Sequence, residues 1–202
     1  MSSSKEFLAK SDPILANIIV QIPEPIVEST NDVFHDLMSC VLEQQIHYRS
    51  TKKIFKKALE RSGVERVTLD NFHLLEEHAL PAIKFSIGKY ETLLAFVEYW
   101  GKNTLNFTKL SDVEIIAQLS SIKGIGKWTI DMILLYTLQR PNVFPYEDFH
   151  LKEIMVKLYG LNPNIKLKAQ MIEISNTWYN HKSLAVKYLL ETKKPLLGVG
   201  SL

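Results

Sequence analysis

A single cysteine, Cys40, in 202 residues leaves no means of building a disulfide scaffold, an all-cysteine zinc site or a four-cysteine iron–sulfur cluster. The six histidines, His35, His47, His73, His78, His150 and His181, are scattered without metal-ligand spacing, so no zinc site is expected. No apolar run approaches the roughly 18 residues that a membrane span needs. The Met-Ser-Ser-Ser start lacks the basic-then-apolar layout of a signal peptide. The expectation is therefore an intracellular, reducing compartment and no membrane partner: the cytoplasm and nucleoid, or the nucleus in a eukaryote. Charge of one sign is missing as well. Lysine and arginine number 24 against 22 acidic residues, a net charge of +2 that is too mild to prove a nucleic-acid partner. Alternating runs joined by hairpin turn chemistry are absent too, which argues against strands.

What is present reads with helical period almost throughout. Asp12-Pro13 ahead of Ile14, Leu15, Ile18 and Ile19 is a helix start: a capping carboxylate, then proline in the first turn. Val33, Phe34, Leu37, Met38, Val41 and Leu42 form one apolar stripe, with Cys40 beside it as a packing residue. Ile54, Phe55, Ala58 and Leu59 repeat the pattern and Gly63 stops it; the stripe from Ile87 to Trp100 is expected to stop at Gly101. Ser111 to Glu114 is a capping box. Further stripes cover 128–138, 149–159, 167–178 and 184–190, with Tyr136, Trp100 and Trp178 as core and Ser183 as a helix cap. The fold class is all-α, about ten short helices. The one local charge excess lies between Arg49 and Arg66, where seven basic residues face Glu60 and Glu65. It reads either as a solvated helix face or as a phosphate-facing surface.

Two stretches carry chemistry. In Leu119-Ser120-Ser121-Ile122-Lys123-Gly124-Ile125-Gly126-Lys127-Trp128-Thr129, two glycines flank an isoleucine between one helix end and the next helix start. Glycine permits positive φ and close approach to the backbone. The second helix start offers unpaired N–H groups and the positive end of its dipole to a phosphate. The opposed carbonyls can ring a monovalent cation. The same stretch also reads as an ordinary tight turn. Downstream, Val143-Phe144-Pro145-Tyr146-Glu147-Asp148-Phe149-His150 delivers two adjacent carboxylates to a helix start. Asp148 there is either an N-cap or a functional carboxylate.

In this order and spacing, and with Leu42-Glu43-Gln44-Gln45-Ile46 at the end of an apolar helix, these stretches resemble the helix–hairpin–helix–Gly/Pro–Asp superfamily of DNA glycosylases. Within it they look like the DNA-3-methyladenine glycosylase II branch, over about residues 12 to 190. The resemblance implies two helical subdomains, 31–139 ending in the hairpin and 1–30 plus 140–202 carrying the catalytic aspartate, with the active site in the cleft between them. It implies that Gly124, Gly126 and Thr129 donate main-chain N–H groups to a DNA phosphate, with Lys127 beside them. Ser120, Ile122 and Ile125 would offer carbonyls to sodium or potassium, the one ion expected; no other cofactor is required. Asp148 matches the catalytic aspartate. Gln44, Gln45, Ile46 and His47 match the turn that fills the gap left by a flipped base. Trp128, Met132, Phe149 and His181 match base-pocket positions; His181 stands where a better-known bacterial member has tryptophan.

The expected function is that of a monomeric, monofunctional glycosylase acting on duplex DNA with alkylated purines of the 3-methyladenine and 7-methylguanine type. Breaking the N-glycosidic bond builds positive charge on the sugar, which a nearby carboxylate stabilises. A methylated purine already carries positive charge, leaves readily, and can stack on an indole. A non-catalytic DNA-binding module and a helical protein-interaction domain are the other readings. The first would make Asp148 a cap only, and the second would show no salt-dependent DNA affinity.

Overall fold

Capping residues decide where the helices begin. In the computed structural model, which describes residues 3–43, 52–83, 86–103 and 105–193, the described residues form eleven α-helices and no strand. No helix among them is long and apolar enough to cross a membrane. The chain divides into two compact units, 29–138 and 1–28 with 139–202.

The 29–138 unit holds α3 (Val33–Leu42), α4 (Lys53–Ser62), α5 (Phe72–His78), α6 (Ile87–Lys102), α7 (Asp112–Ser120) and α8 (Lys127–Met132). Asp32 caps α3, Ser111 and Glu114 form the capping box of α7, and Gly63 ends α4 at φ +66. Gly101 does not end α6. The helix runs through it to Lys102, and the Asn103 side chain donates to the Tyr99 carbonyl, so the sixteen-residue helix absorbs one glycine in its last turn. The α3 stripe packs on α6, burying Phe34, Leu37, Met38 and Val41 with Leu93 and Phe96. Trp100 is half-buried, stacked on Phe107 and edge-on to Phe34 and Phe96. After Met132 the helix widens to five-residue hydrogen bonding over Ile133–Thr137, with Leu138 N–H donating to Ile133 O at 2.9 Å. Thr137 and Thr30 both donate hydroxyls to buried Asp36 Oδ2, at 2.6 and 2.7 Å. Glu43, buried just past α3, accepts the Phe55 N–H at 2.8 Å and so caps α4 from inside.

Burial pushes the Cys40 thiol up to about 12, so it stays protonated and inert. Burial also lowers His35, outweighing the neighbouring Asp36 and Asp32 carboxylates, and its Nδ1 accepts the Val67 N–H at 3.1 Å. The folded ring prefers to be neutral, so the unfolded chain takes up its proton first. This contribution to stability is complete above the unfolded value near 6.5 and is lost as pH falls below it. Stability should therefore slope downward as pH drops below about 6.5. In His35→Asn, which keeps an acceptor that does not titrate, that slope should disappear; urea melts at several pH values measure it, and an unchanged slope would assign the titration elsewhere.

The second unit holds α1 (Ser4–Ser11), α2 (Pro13–Gln21), α9 (Phe149–Tyr159), α10 (Leu167–Asn176) and α11 (Lys182–Glu191). Its centre is Asp12, 4% exposed. One oxygen caps α2 through the N–H groups of Ile14 and Leu15, as the Asp-Pro start predicts. The other accepts Trp178 Nε1–H and Tyr159 O–H, both at 2.8 Å. Burial and this carboxylate raise the Tyr159 phenol. Asp12→Ala would strip the cap and leave the buried Trp178 N–H and the half-buried Tyr159 O–H unmet. The expected cost is about 3 to 5 kcal/mol, read as a drop in the urea midpoint; a loss under about 1 kcal/mol would refute this role. Ser183 is not a helix cap. It lies inside α11, donates to the Arg140 carbonyl and accepts the Val143 N–H at 2.9 Å, pinning the proline-containing loop to the helix.

Candidate functional site

The hairpin belongs to the 29–138 unit. Ile122 and Ile125 are buried beneath it, and the Ile125 N–H donates to the Ile122 carbonyl at 3.1 Å, closing the turn. Its two glycines do different work. At Gly124 the backbone runs at φ +87, and a Cβ would lie 2.0 Å from Thr92 Oγ1 on α6. Gly124 is therefore needed by the fold. At Gly126, the N-cap of α8, φ is −94 and a Cβ would meet nothing within 4 Å. The fold leaves that position open to whatever approaches from outside.

Among the described residues, the N–H groups of Gly124, Gly126 and Thr129 find no acceptor. Gly124 and Gly126 are exposed, so their donors face outward at a helix start, where an anion is favoured. The carbonyls of Ser120 and Ile125 likewise accept no hydrogen bond from the described chain, and Ile122 O accepts one. All three keep lone pairs for a hard cation. Lys127 is half committed elsewhere: its ammonium lies 2.7 and 2.8 Å from the two carboxylate oxygens of buried Asp131, one turn on. The i, i+4 spacing of Lys127 and Asp131 is the signal that could have disclosed this pair. Nothing local marks Thr92. Lys123 pairs with Glu91 at 2.9 Å. Trp128 is half-buried and Met132, one turn later, is buried.

Asp148 lies in the other unit. Its N–H donates to the Pro145 carbonyl, and the Tyr146 N–H to Phe144 O, both at 2.9 Å, so the segment is wound tightly before α9. Phe144 sits edge-on to buried Trp178. Asp148 as a residue is 6% exposed, and its carboxylate accepts the Leu151 N–H at 2.8 Å, which makes it the N-cap of α9. The cap bond uses one oxygen and fixes the carboxylate's orientation. Next to it, Phe149 is 65% exposed, a large aromatic left outside the core. Glu147 is exposed. His181 packs its ring 4.9 Å from Phe7 and lines a cavity of about 180 Å³ with Arg140, Asn180 and Lys187. Asp148 is not among the described residues lining it. Asp148, Phe149 and His181 thus belong to one unit and Trp128, Met132 and the hairpin to the other. Gln44, Gln45, Ile46 and His47 lie outside the described residues.

No family model matches the chain. DNA-3-methyladenine glycosylase 1 of Schizosaccharomyces pombe is 28% identical over 167 residues, which are 80% of this chain and 72% of that protein. A DNA-3-methyladenine glycosylase of Bacillus subtilis is 28% identical over 195 residues, 90% of this chain and 64% of that protein, so the chain spans less than two thirds of it. The solved structure of the S. pombe 3-methyladenine DNA glycosylase Mag1 in complex with abasic DNA is similar with a TM-score of 0.74 and 22% identity, over 98% of this chain and 100% of that one. This last likeness shows the all-helical fold.

Proposed function

We propose that this chain is a DNA-3-methyladenine glycosylase, like the relatives it resembles, and that it excises alkylated purines from duplex DNA by hydrolysing the N-glycosidic bond. The observation that carries the reading is one sequence-ordered pair. A hairpin presents the N–H groups of Gly124, Gly126 and Thr129 without acceptors, and about twenty residues later comes a buried carboxylate, Asp148, fixed by its cap bond.

In this mechanism the hairpin donors take a backbone phosphate and the damaged nucleotide leaves the stack. The carbonyls of Ser120, Ile122 and Ile125 would hold sodium or potassium, which supplies positive charge beside that phosphate. Asp148, as carboxylate, stabilises the oxocarbenium character of the sugar and orients or deprotonates the attacking water. A 3-methyladenine or 7-methylguanine base leaves with little need of a general acid because it is already cationic. Trp128, with Met132 one turn on, would offer an aromatic face to that cation; Phe149 and His181 are the candidate base-contacting residues of the other unit. Gln44, Gln45, Ile46 and His47 fill the vacated stack. Hairpin and aspartate come from one chain, so a monomer suffices.

The reading also fixes the reaction type. In bifunctional relatives a lysine at the position of Trp128 attacks the sugar; an indole has no nucleophilic amine, and the neighbouring Lys127 is held by Asp131. Methylated duplex DNA incubated with the protein should therefore stay intact until alkali is added, and borohydride should trap no covalent complex. Immediate strand cleavage, or a stoichiometric adduct at Lys127 or Lys123, would overturn the hydrolytic mechanism. Absence of alkali-labile sites would overturn the function itself.

A further inference from the structure

The outer face of α4 carries Lys53, Lys56, Lys57 and Arg61, all exposed, interrupted only by Glu60. Among the described residues, none of these four cations has a carboxylate within 4 Å, and no other bond to them is present. Elsewhere some surface cations find partners, Arg66 with Asp32, Lys102 with Glu98, Lys123 with Glu91 and Lys193 with Glu153, while Lys10, Lys109, Lys157 and Lys166 also stand without one among the described residues; α4 differs in gathering four such cations on one helix face. The start of α4 is also where a helix favours acidic residues, yet its first turn has none. One of its first N–H groups, that of Phe55, is met from the buried side by Glu43. The first turn thus breaks a local charge preference, as happens at functional surfaces.

We propose that this face is a second phosphate-binding surface, beyond the hairpin, that takes the sugar–phosphate backbone of duplex DNA. The inference rests on the DNA-glycosylase reading. Lys53, Lys57 and Arg61 recur once per turn and form a row about 12 Å long, with Lys56 widening it. A DNA strand carries its phosphates at regular intervals, so the row can meet up to three of them, one per cation. A uniform line of negative charge suits an evenly spaced row of cations. The surface sets affinity and its salt dependence, not the chemistry of excision.

The test replaces Lys53, Lys57 and Arg61 together by Gln, with a second variant, Lys53→Arg and Lys57→Arg, that keeps the charge. Binding to an undamaged duplex of about 20 base pairs is measured across salt concentrations, with circular dichroism as the check on folding. The neutral variant should bind on the order of 10²-fold more weakly at 0.1 M salt, with the slope of log K against log salt reduced by about 2 to 3. The arginine variant should match the parent. Single-turnover excision at saturating protein should be equal in all three. A neutral variant that is folded and keeps the parental slope overturns the inference while leaving the hairpin reading intact. A slope that falls equally in the arginine variant also overturns it, because charge would not be the cause. A parent protein with no salt-dependent DNA affinity overturns both this surface and the function on which it rests.

Discussion

Asp148→Asn should lower single-turnover excision from methylated DNA by a factor on the order of 10² or more, with DNA affinity kept or raised. The substitution preserves volume, and Asn caps a helix as well as Asp does. The Leu151 N–H, 2.8 Å from the Asp148 oxygen, retains an acceptor, so α9 and the fold should survive. What disappears is the negative charge that the proposed mechanism sets against the positive charge developing on the sugar, where a fixed carboxylate has most effect. The same substitution separates the enzyme from a DNA-binding module. If Asp148 were only the cap that its hydrogen bond makes it, the Asn variant would excise at the parental rate.

Gly126→Asp should abolish measurable DNA binding while the helical circular dichroism stays unchanged. A Cβ at Gly126 meets nothing within 4 Å and φ there is −94, so the fold tolerates a side chain. The carboxylate would stand among the N–H groups of Gly124, Gly126 and Thr129, where a phosphate is expected, and repel it. Gly124→Ala is the contrasting case. Its methyl would overlap Thr92 at φ +87, so the loss there should be of stability first. A Gly126→Asp protein that binds duplex DNA as the parent does would remove the hairpin from the phosphate grip.

The parts that could be read from the chain are those with local causes. The Asp12 and Ser111 caps, the Gly63 stop and the span of the hairpin between Ser120 and Lys127 follow from residues within a few positions of one another. Asp148 is legible as a cap for the same reason; its proposed catalytic role rests on its order after the hairpin. The rest is long-range. Asp12 shows itself as a cap in sequence, but its bond to Trp178 spans 166 residues and no periodicity encodes it. Ser183 sits where a cap is plausible, and the structure gives its hydroxyl to Arg140 and Val143, some forty residues back. The fit of Thr92 against Gly124 depends on how α6 packs, which only the tertiary structure determines.

This chain is expected to release alkylated purines from DNA. Duplex DNA treated with a methylating agent is incubated with the protein, and the free bases are separated and identified by chromatography. The account predicts release of 3-methyladenine, 7-methylguanine or both, in amounts that match the alkali-labile sites formed, and on the order of 10²-fold less from Asp148→Asn. Release of no alkylated base by a folded protein that binds the same DNA would contradict it.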